Sequence, residues 1–161
     1  LNVILDHSRH LLNRLHDNSI DVCFSYLATN EISYKCIPYK TDEIIFVTNS
    51  QNIQFSNGIH NGEILHLPII YSKFMPKSGF DWIHDIFPPH YVFQFTISVI
   101  KEIIPFLLQY PYYAFLPRKL IEKELKDGLL IEIPLLDYHI PPLQSYIIMK
   151  SNAKYNPLDY F

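Results

Sequence analysis

The sequence predicts an α/β fold, and three observations predict it. Short runs rich in β-branched and aromatic residues alternate with stretches whose apolar residues recur at helical spacing. Polar turn residues separate the two kinds of segment. The first alternation, strand then helix then strand within residues 1–24, reads as a crossover unit, which makes its two strands parallel.

Each element follows in order. Leu1 to Leu5 reads as a buried strand. Asp6, His7 and Ser8 supply helix-starting side chains, and Leu11, Leu12 and Leu15 form one apolar stripe. Asp17, Asn18 and Ser19 stop that helix, and Ile20 to Phe24 is the next strand. Ser33 to Ile37 and Asp42 to Thr48 are further strands, the second carrying Ile44, Ile45, Phe46 and Val47. The stretch from Asn49 to Gly62 is polar and holds two turn signals, Asn57-Gly58 and Asn61-Gly62, which suggests a change of lobe. Leu67 to Tyr71 is a short strand with Pro68 at its start, where no ladder donor is lost. After Ser78 and Gly79, the residues Phe80, Trp82, Ile83, Ile86 and Phe87 make a short helix ended by Pro88-Pro89. Tyr91 to Phe95 is a strand. Thr96 and Ser98 precede an amphipathic helix from Val99 to Leu108, in which Pro105 should kink or divide the run. Tyr112 to Leu116 is a strand, and Pro117-Arg118 opens a helix that Gly128 ends in a left-handed conformation. Leu129 to Ile133 and Ser145 to Lys150 are strands around a Pro141-Pro142 loop. Asn156 to Asp159 looks like a cap and a first helical turn.

The chain has 161 residues, enough for one compact domain or one split into two small lobes. Its composition, 48% hydrophobic and 18% charged, argues against disorder. No apolar run approaches the ~20 residues of a membrane helix. Leu1 to Asp6 lack a basic region and a small-residue cleavage site, so no signal peptide is expected. Thirteen basic residues stand against 16 acidic ones, a net charge of −3, which speaks against nucleic-acid binding through this segment. The two cysteines, Cys23 and Cys36, lie in apolar strand-like runs without C-x-x-C spacing or a neighbouring histidine. Buried free thiols in a reducing compartment are expected, and the cytoplasm with them.

Four segments carry a family resemblance. Leu11 to Val22 is similar to a leucine-rich helix, short polar turn and I/L-D-L/V strand. Lys40 to Val47 resembles a strand running into a second lobe. Gly62 to Ile70 resembles a short helix, a leucine and an apolar strand. Ala114 to Arg118, with Glu124 to Leu130, resembles an apolar Leu-Pro-Arg segment, a helix and an Asp-Gly-x-Leu return. In this order and spacing they resemble the effector-binding (regulatory) domain of LysR-type transcriptional regulators, truncated at both ends. The family's first strand and helix, its helix-turn-helix and linker helix, and the end of its last helix have no counterpart in the sequence.

The resemblance implies a two-lobe, periplasmic-binding-protein-like (type II) fold with a hinge. Lobe one would comprise residues 1–47 plus 116–161, and lobe two residues 48–115, with crossings near Val47 and Phe115 and a mostly parallel sheet in each. It implies a ligand-sensing domain that binds a small effector between the lobes and transmits it through hinge and dimer geometry to a DNA-binding domain. Homodimers or tetramers would form in the full-length protein, through the helix of Leu11, Leu12 and Leu15 and the helix Val99 to Leu108. The alternative is a solute-binding protein of the same fold for transport. Where the family usually has glycines, this sequence has Gln109-Tyr110-Pro111-Tyr112-Tyr113, which implies an aromatic, tighter wall.

The candidate effector-binding residues are His7, Ser8, Ser25, Tyr26, Tyr71, Ser72, Thr96 and Ser98. Each follows a strand's C-terminal end, where open parallel sheets bind ligands. Their hydroxyls could bond a carboxylate or carbonyl. The competing reading is capping and turn chemistry, which Thr96 or Ser98 should perform in part. Of the three arginines, Arg14 and Arg118 lie away from such strand ends and Arg9 stands near one, one residue inside a helix, so a bidentate clamp on a carboxylate is not expected. His7 and His10 with Asp6 fall short of the three or four converging ligands a metal needs. No nucleophile–base, phosphate-loop or dinucleotide motif is present, so no enzymatic activity, cofactor, metal or membrane partner is expected. The 12 tyrosines and 11 phenylalanines must mostly be core, with Tyr110, Tyr112 and Tyr113 flanking the expected cleft and Tyr138 and Tyr155 near lobe-one edges.

Overall fold

The computed structural model describes residues 3–72 and 82–152. The elements in chain order are α1 (Ser8–His16), β1 (Val22–Ser25), β2 (Tyr34–Asp42), β3 (Ile44–Asn49), α2 (Asn61–Ile64), β4 (Ile69–Ser72), α3 (Ile83–Ile86), β5 (Phe95–Ile97), α4 (Ile103–Gln109), β6 (Tyr113–Pro117), α5 (Glu122–Lys126), β7 (Leu130–Glu132) and β8 (Leu143–Lys150). They form two sheets, in the orders β1-β8-β2 and β5-β4-β6-β3-β7. The helix expected at Asn156 to Asp159, the start of the Phe80 helix and Tyr155 lie outside the described residues.

The chain divides into a first unit of residues 1–41 and 143–161 and a second unit of residues 42–142. The boundaries expected at 47 and 115 fall instead inside the second unit's sheet. The cause is pairing: β3 and β6 are antiparallel over their whole length, from Ile44 opposite Pro117 to Thr48 opposite Tyr113. β7 then adds to the other edge of β3, Val47 opposite Glu132, so residues 116–142 stay with the second unit.

In the first unit the leucine stripe of α1 behaves as its spacing demands. Leu15 is fully buried with Cys23 and Ile148, and Leu11, Leu12, Ile20, Tyr34, Cys36 and Tyr146 pack around them. Asn18, at φ 65°, turns the chain out of α1, a conformation asparagine tolerates well. β1 pairs antiparallel with β8, Cys23 opposite Ile148. Among the described residues β1 has no parallel partner from the segment before α1, so the expected parallel crossover is not formed there. Residues 3–7 form no strand, and Leu5 stands 94% exposed. A strand is stable only with a neighbour for its backbone groups, and among the described residues this segment has none.

The second unit's sheet is mixed rather than mostly parallel. β4 runs parallel to β5 and to β6, while β3 is antiparallel to β6 and β7. The central pair reads as continuous apolar runs because both faces are covered: Ile44 to Thr48 and Tyr113 to Leu116 are all buried. Phe46 packs against Phe115 at 4.7 Å and stacks on Tyr113 at 5.4 Å. Thr48 is the buried polar residue of this layer, and its hydroxyl donates to the Tyr112 carbonyl at 2.8 Å. Pro105 does not divide α4, which runs from Ile103 to Gln109. It sits in the first turn, where its missing N–H is not needed, and a 3-10 turn at Ile100–Glu102 leads in. Gly58 turns at φ +115°, but Asn61-Gly62 opens α2 rather than a turn.

Candidate functional site

In the first unit the junction between β1 and the start of α1 brings four predicted residues into reach of one another. His7 is the N-cap of α1, extended and without a side-chain cap. The Ser8 hydroxyl accepts the Tyr26 N–H at 3.3 Å, tying the helix start to the end of β1. The Ser25 hydroxyl donates to the Leu27 carbonyl and accepts the Leu27 N–H, both at 2.9 Å. Ser25 is therefore a closed, buried turn residue, the structural one of the two roles open to it.

Beside it lies a charged cluster at the start of α1. Asp6 accepts the His7 N–H at 2.8 Å, His10 Nδ1 lies 2.9 Å from its carboxylate, and Arg14 Nε is 3.5 Å away. The His10 hydrogen bond, then the His7 N–H, hold the Asp6 carboxyl below its ordinary range. The signal was the spacing: aspartate, histidine and arginine four residues apart occupy one helical face. Among the described residues no group of three or more His, Cys, Asp or Glu is arranged to hold a metal ion.

In the second unit the predicted residues gather at the C-terminal ends of two parallel strands. Tyr71 stands opposite Thr96 and Ser72 opposite Ile97. The Tyr71 ring stacks on Phe93 at 4.6 Å, and burial raises its phenol above the ordinary value. Ser72 is buried, whereas Thr96 and Ser98 are exposed. Neither of those two caps a helix: the N-cap of the following 3-10 turn is Val99, without a side-chain bond. Their expected capping role is thus corrected, and both hydroxyls are left without a hydrogen-bond partner among the described residues.

The tyrosines fall elsewhere. Tyr110, Tyr112 and Tyr113 lie at the start of β6, opposite the end of the sheet that carries Tyr71 and Thr96. Tyr113 is a core ring whose hydroxyl accepts the Asn52 side-chain N–H at 2.8 Å. Tyr138 belongs to the second unit and donates to Asp85 at 2.6 Å, which pushes its phenol up to about 12. The proposed dimer helices differ too. The α1 leucines pack within their own unit, while Val99, Phe106 and Leu108 remain exposed on and before α4.

No family model matches the chain, and no curated protein matches it. Solved structures do. A Corynebacterium glutamicum OxyR C206 mutant matches with a TM-score of 0.69 at 19% identity, over 92% of this chain and 48% of that one. The regulatory domain of HypT from Salmonella typhimurium matches at 0.73 and 16% identity, over 96% of this chain and 75% of that one. The effector binding domain of a BenM variant matches at 0.67 and 14% identity, over 96% and 73%. The chain spans about half the length of the OxyR structure. The likeness runs through nearly the whole chain and shows that its fold is that of the regulatory domains of LysR-type regulators.

Proposed function

We propose that this chain is the ligand-sensing regulatory domain of a LysR-type transcriptional regulator. The candidate effector-binding residues are His7, Ser8 and Tyr26 in the first unit, with Ser25 shaping the turn beside them, and Tyr71, Ser72, Thr96 and Ser98 in the second. The observation that carries the reading is the pair of exposed, unengaged hydroxyls at the C-terminal edge of parallel strands, Thr96 and Ser98, where α/β sheets take their ligands. The fold likeness to regulatory and effector-binding domains supports it. An effector that binds one arrangement of the two units better than another shifts the population toward it. Dimers or tetramers of the longer protein, formed with help from the exposed apolar residues of α4, would pass that shift to a helix-turn-helix outside this chain. The setting is the cytoplasm, and no catalytic step is assigned. No helix among the described residues is long and apolar enough to cross a membrane.

The test begins with a thermal-shift screen of metabolites, since a ligand at ~100 times its dissociation constant adds ~2.7 kcal/mol of stability. Calorimetry on Ser8→Val and Thr96→Val follows. Each should weaken the hit by at least ~1 kcal/mol, about fivefold, with Thr96→Val leaving folding unchanged. Unaltered affinity in both variants would reject the site. Purified alone, the chain should give no sequence-specific gel shift, its net charge being −3.

A further inference from the structure

The second unit holds a cavity of about 230 Å³ lined by Asn49, Gln51, Asn52, Gln109, Tyr110 and Pro111. It lies where β3 ends and β6 is about to begin. Because β4 is parallel to β6 and β3 is antiparallel to it, this is the N-terminal end of β4. Tyr71, Ser72 and Thr96 occupy the other end, so the cavity is separate from the proposed effector residues.

Four carboxamides, one phenol ring and one proline line it, with no ionised side chain. The pocket is open, with Gln51, Gln109, Tyr110 and Pro111 exposed, and it offers an ionic ligand no counter-charge. An apolar ligand would leave the amides unsatisfied. Each amide both donates and accepts, which is also the character of an alcohol group.

Two of the amides are locked. The Asn49 side-chain N–H donates to the Leu108 carbonyl at 2.8 Å, and its oxygen accepts the Gln51 N–H at 2.9 Å. The Asn52 side-chain N–H reaches Tyr113 Oη at 2.8 Å and Thr48 Oγ1 at 3.2 Å, which fixes its orientation and leaves its oxygen as an acceptor. The Gln51 and Gln109 amides have no intramolecular hydrogen bond among the described residues. Tyr110 is half exposed, with its ring braced by Tyr112 at 5.9 Å and Phe106 at 6.5 Å. A supported aromatic face has negative charge density suited to the C–H face of a sugar ring.

From this combination we propose a second binding site, for a neutral polyhydroxylated ring of monosaccharide size. Tyr110 supplies the platform, Gln51 and Gln109 bond the hydroxyls, and Asn52 offers a fixed acceptor. The volume is below the ~300 Å³ at which drug-sized pockets start, which favours one ring over two.

The test is NMR titration of the intact chain with methyl glucoside, methyl galactoside and inositol as neutral probes, and gluconate as the charged control. At least one neutral probe should give saturable shifts of the Asn52, Gln51 and Gln109 side-chain amides, and gluconate none. Tyr110→Ala should weaken that binding about tenfold, with Tyr110→Phe close to the parent. Gln109→Ala, at an exposed position, gives a second reading should Tyr110→Ala disturb the fold. No saturable shift with any neutral probe, equal shifts with gluconate, or unchanged affinity in Tyr110→Ala and Gln109→Ala would each overturn the proposal. Because no proposed effector residue is altered, failure here leaves the effector reading standing.

Discussion

The Cys23 thiol is 3% exposed, and burial pushes its pKa up to about 11. Cys36 is only half-buried on β2. The strand β8 lies between β1 and β2, so the two cysteines are at least ~9 Å apart at a strand spacing of about 4.8 Å. That exceeds the ~7 Å within which Cα atoms can be bridged. Iodoacetamide at pH 8 should label Cys36 well before Cys23 in the folded chain, and oxidation should give no intrachain disulfide. Equal labelling rates, or a Cys23–Cys36 crosslink in the folded monomer, would contradict this packing. A second residue-scale expectation concerns His60 and Asp137, whose Nδ1 and Oδ1 lie 2.9 Å apart. The side-chain bond to Asp137 raises His60 above 6.5. The Asn61 N–H first, and His60 second, lower Asp137 below 3.8. The raised histidine stabilises the fold below its unfolded pKa and loses that contribution as pH rises through its folded one. The depressed aspartate stabilises above its unfolded pKa and loses that as pH falls. Both contributions are therefore present between about pH 4 and 6.5. Asp137→Asn should lower the His60 midpoint in an NMR titration, and an unmoved midpoint would count against the pair.

At the scale of the element, α1 shows how one stripe holds a small sheet. Leu15 is fully buried against Cys23 and Ile148, so Leu15→Ala should cost ~2–5 kcal/mol in urea unfolding. A loss under ~1 kcal/mol would mean that α1 is not anchored through this residue. The stripe was legible because Leu11, Leu12 and Leu15 show the helical period directly. β3 and β6 were legible as apolar runs between turn residues. Their partners were not, because Ile44 to Thr48 and Tyr113 to Leu116 are buried on both faces and so carry no alternation to report direction. The division between the two units follows this pairing, with β3, β6 and β7 together in residues 42–142. Of the strand expected over Leu1 to Leu5, the described residues 3–5 form none: β-branched residues announce a strand, but only a neighbour makes one. Of the candidate site, Ser98 was readable as a position after a strand, whereas the strand expected over Tyr91 to Phe95 lies at Phe95–Ile97 and so takes Thr96 inside it. That Ser25 spends its hydroxyl on Leu27 depends on the turn it closes, which no spacing reveals.

At the scale of the molecule, the two units differ in how the chain builds them. Residues 42–142 are continuous, and among the described residues the five strands β3 to β7 pair with one another. The first unit needs two separate pieces, with β8 from the far end of the chain completing the sheet between β1 and β2. A continuous segment of about 100 residues with its own core is of ordinary domain size. Its core is closed by its own side chains: Phe46 with Phe115, Ile69 and Ile70 on β4, and Ile103 and Leu107 on α4. Arg118 adds an ion pair to Glu43 and another to Glu132, tying β6 to the start of β3 and to β7. Residues 42–142 expressed alone should therefore give a dispersed NMR spectrum and one cooperative unfolding transition. Residues 1–41 alone should not fold, because their sheet lacks its middle strand. The excised segment keeps every residue of the amide-lined cavity, so it should retain the neutral-sugar shifts seen in the intact chain. A collapsed, non-cooperative 42–142 would show that the second unit depends on the first. A folded 42–142 that lost the sugar response would show that the cavity does.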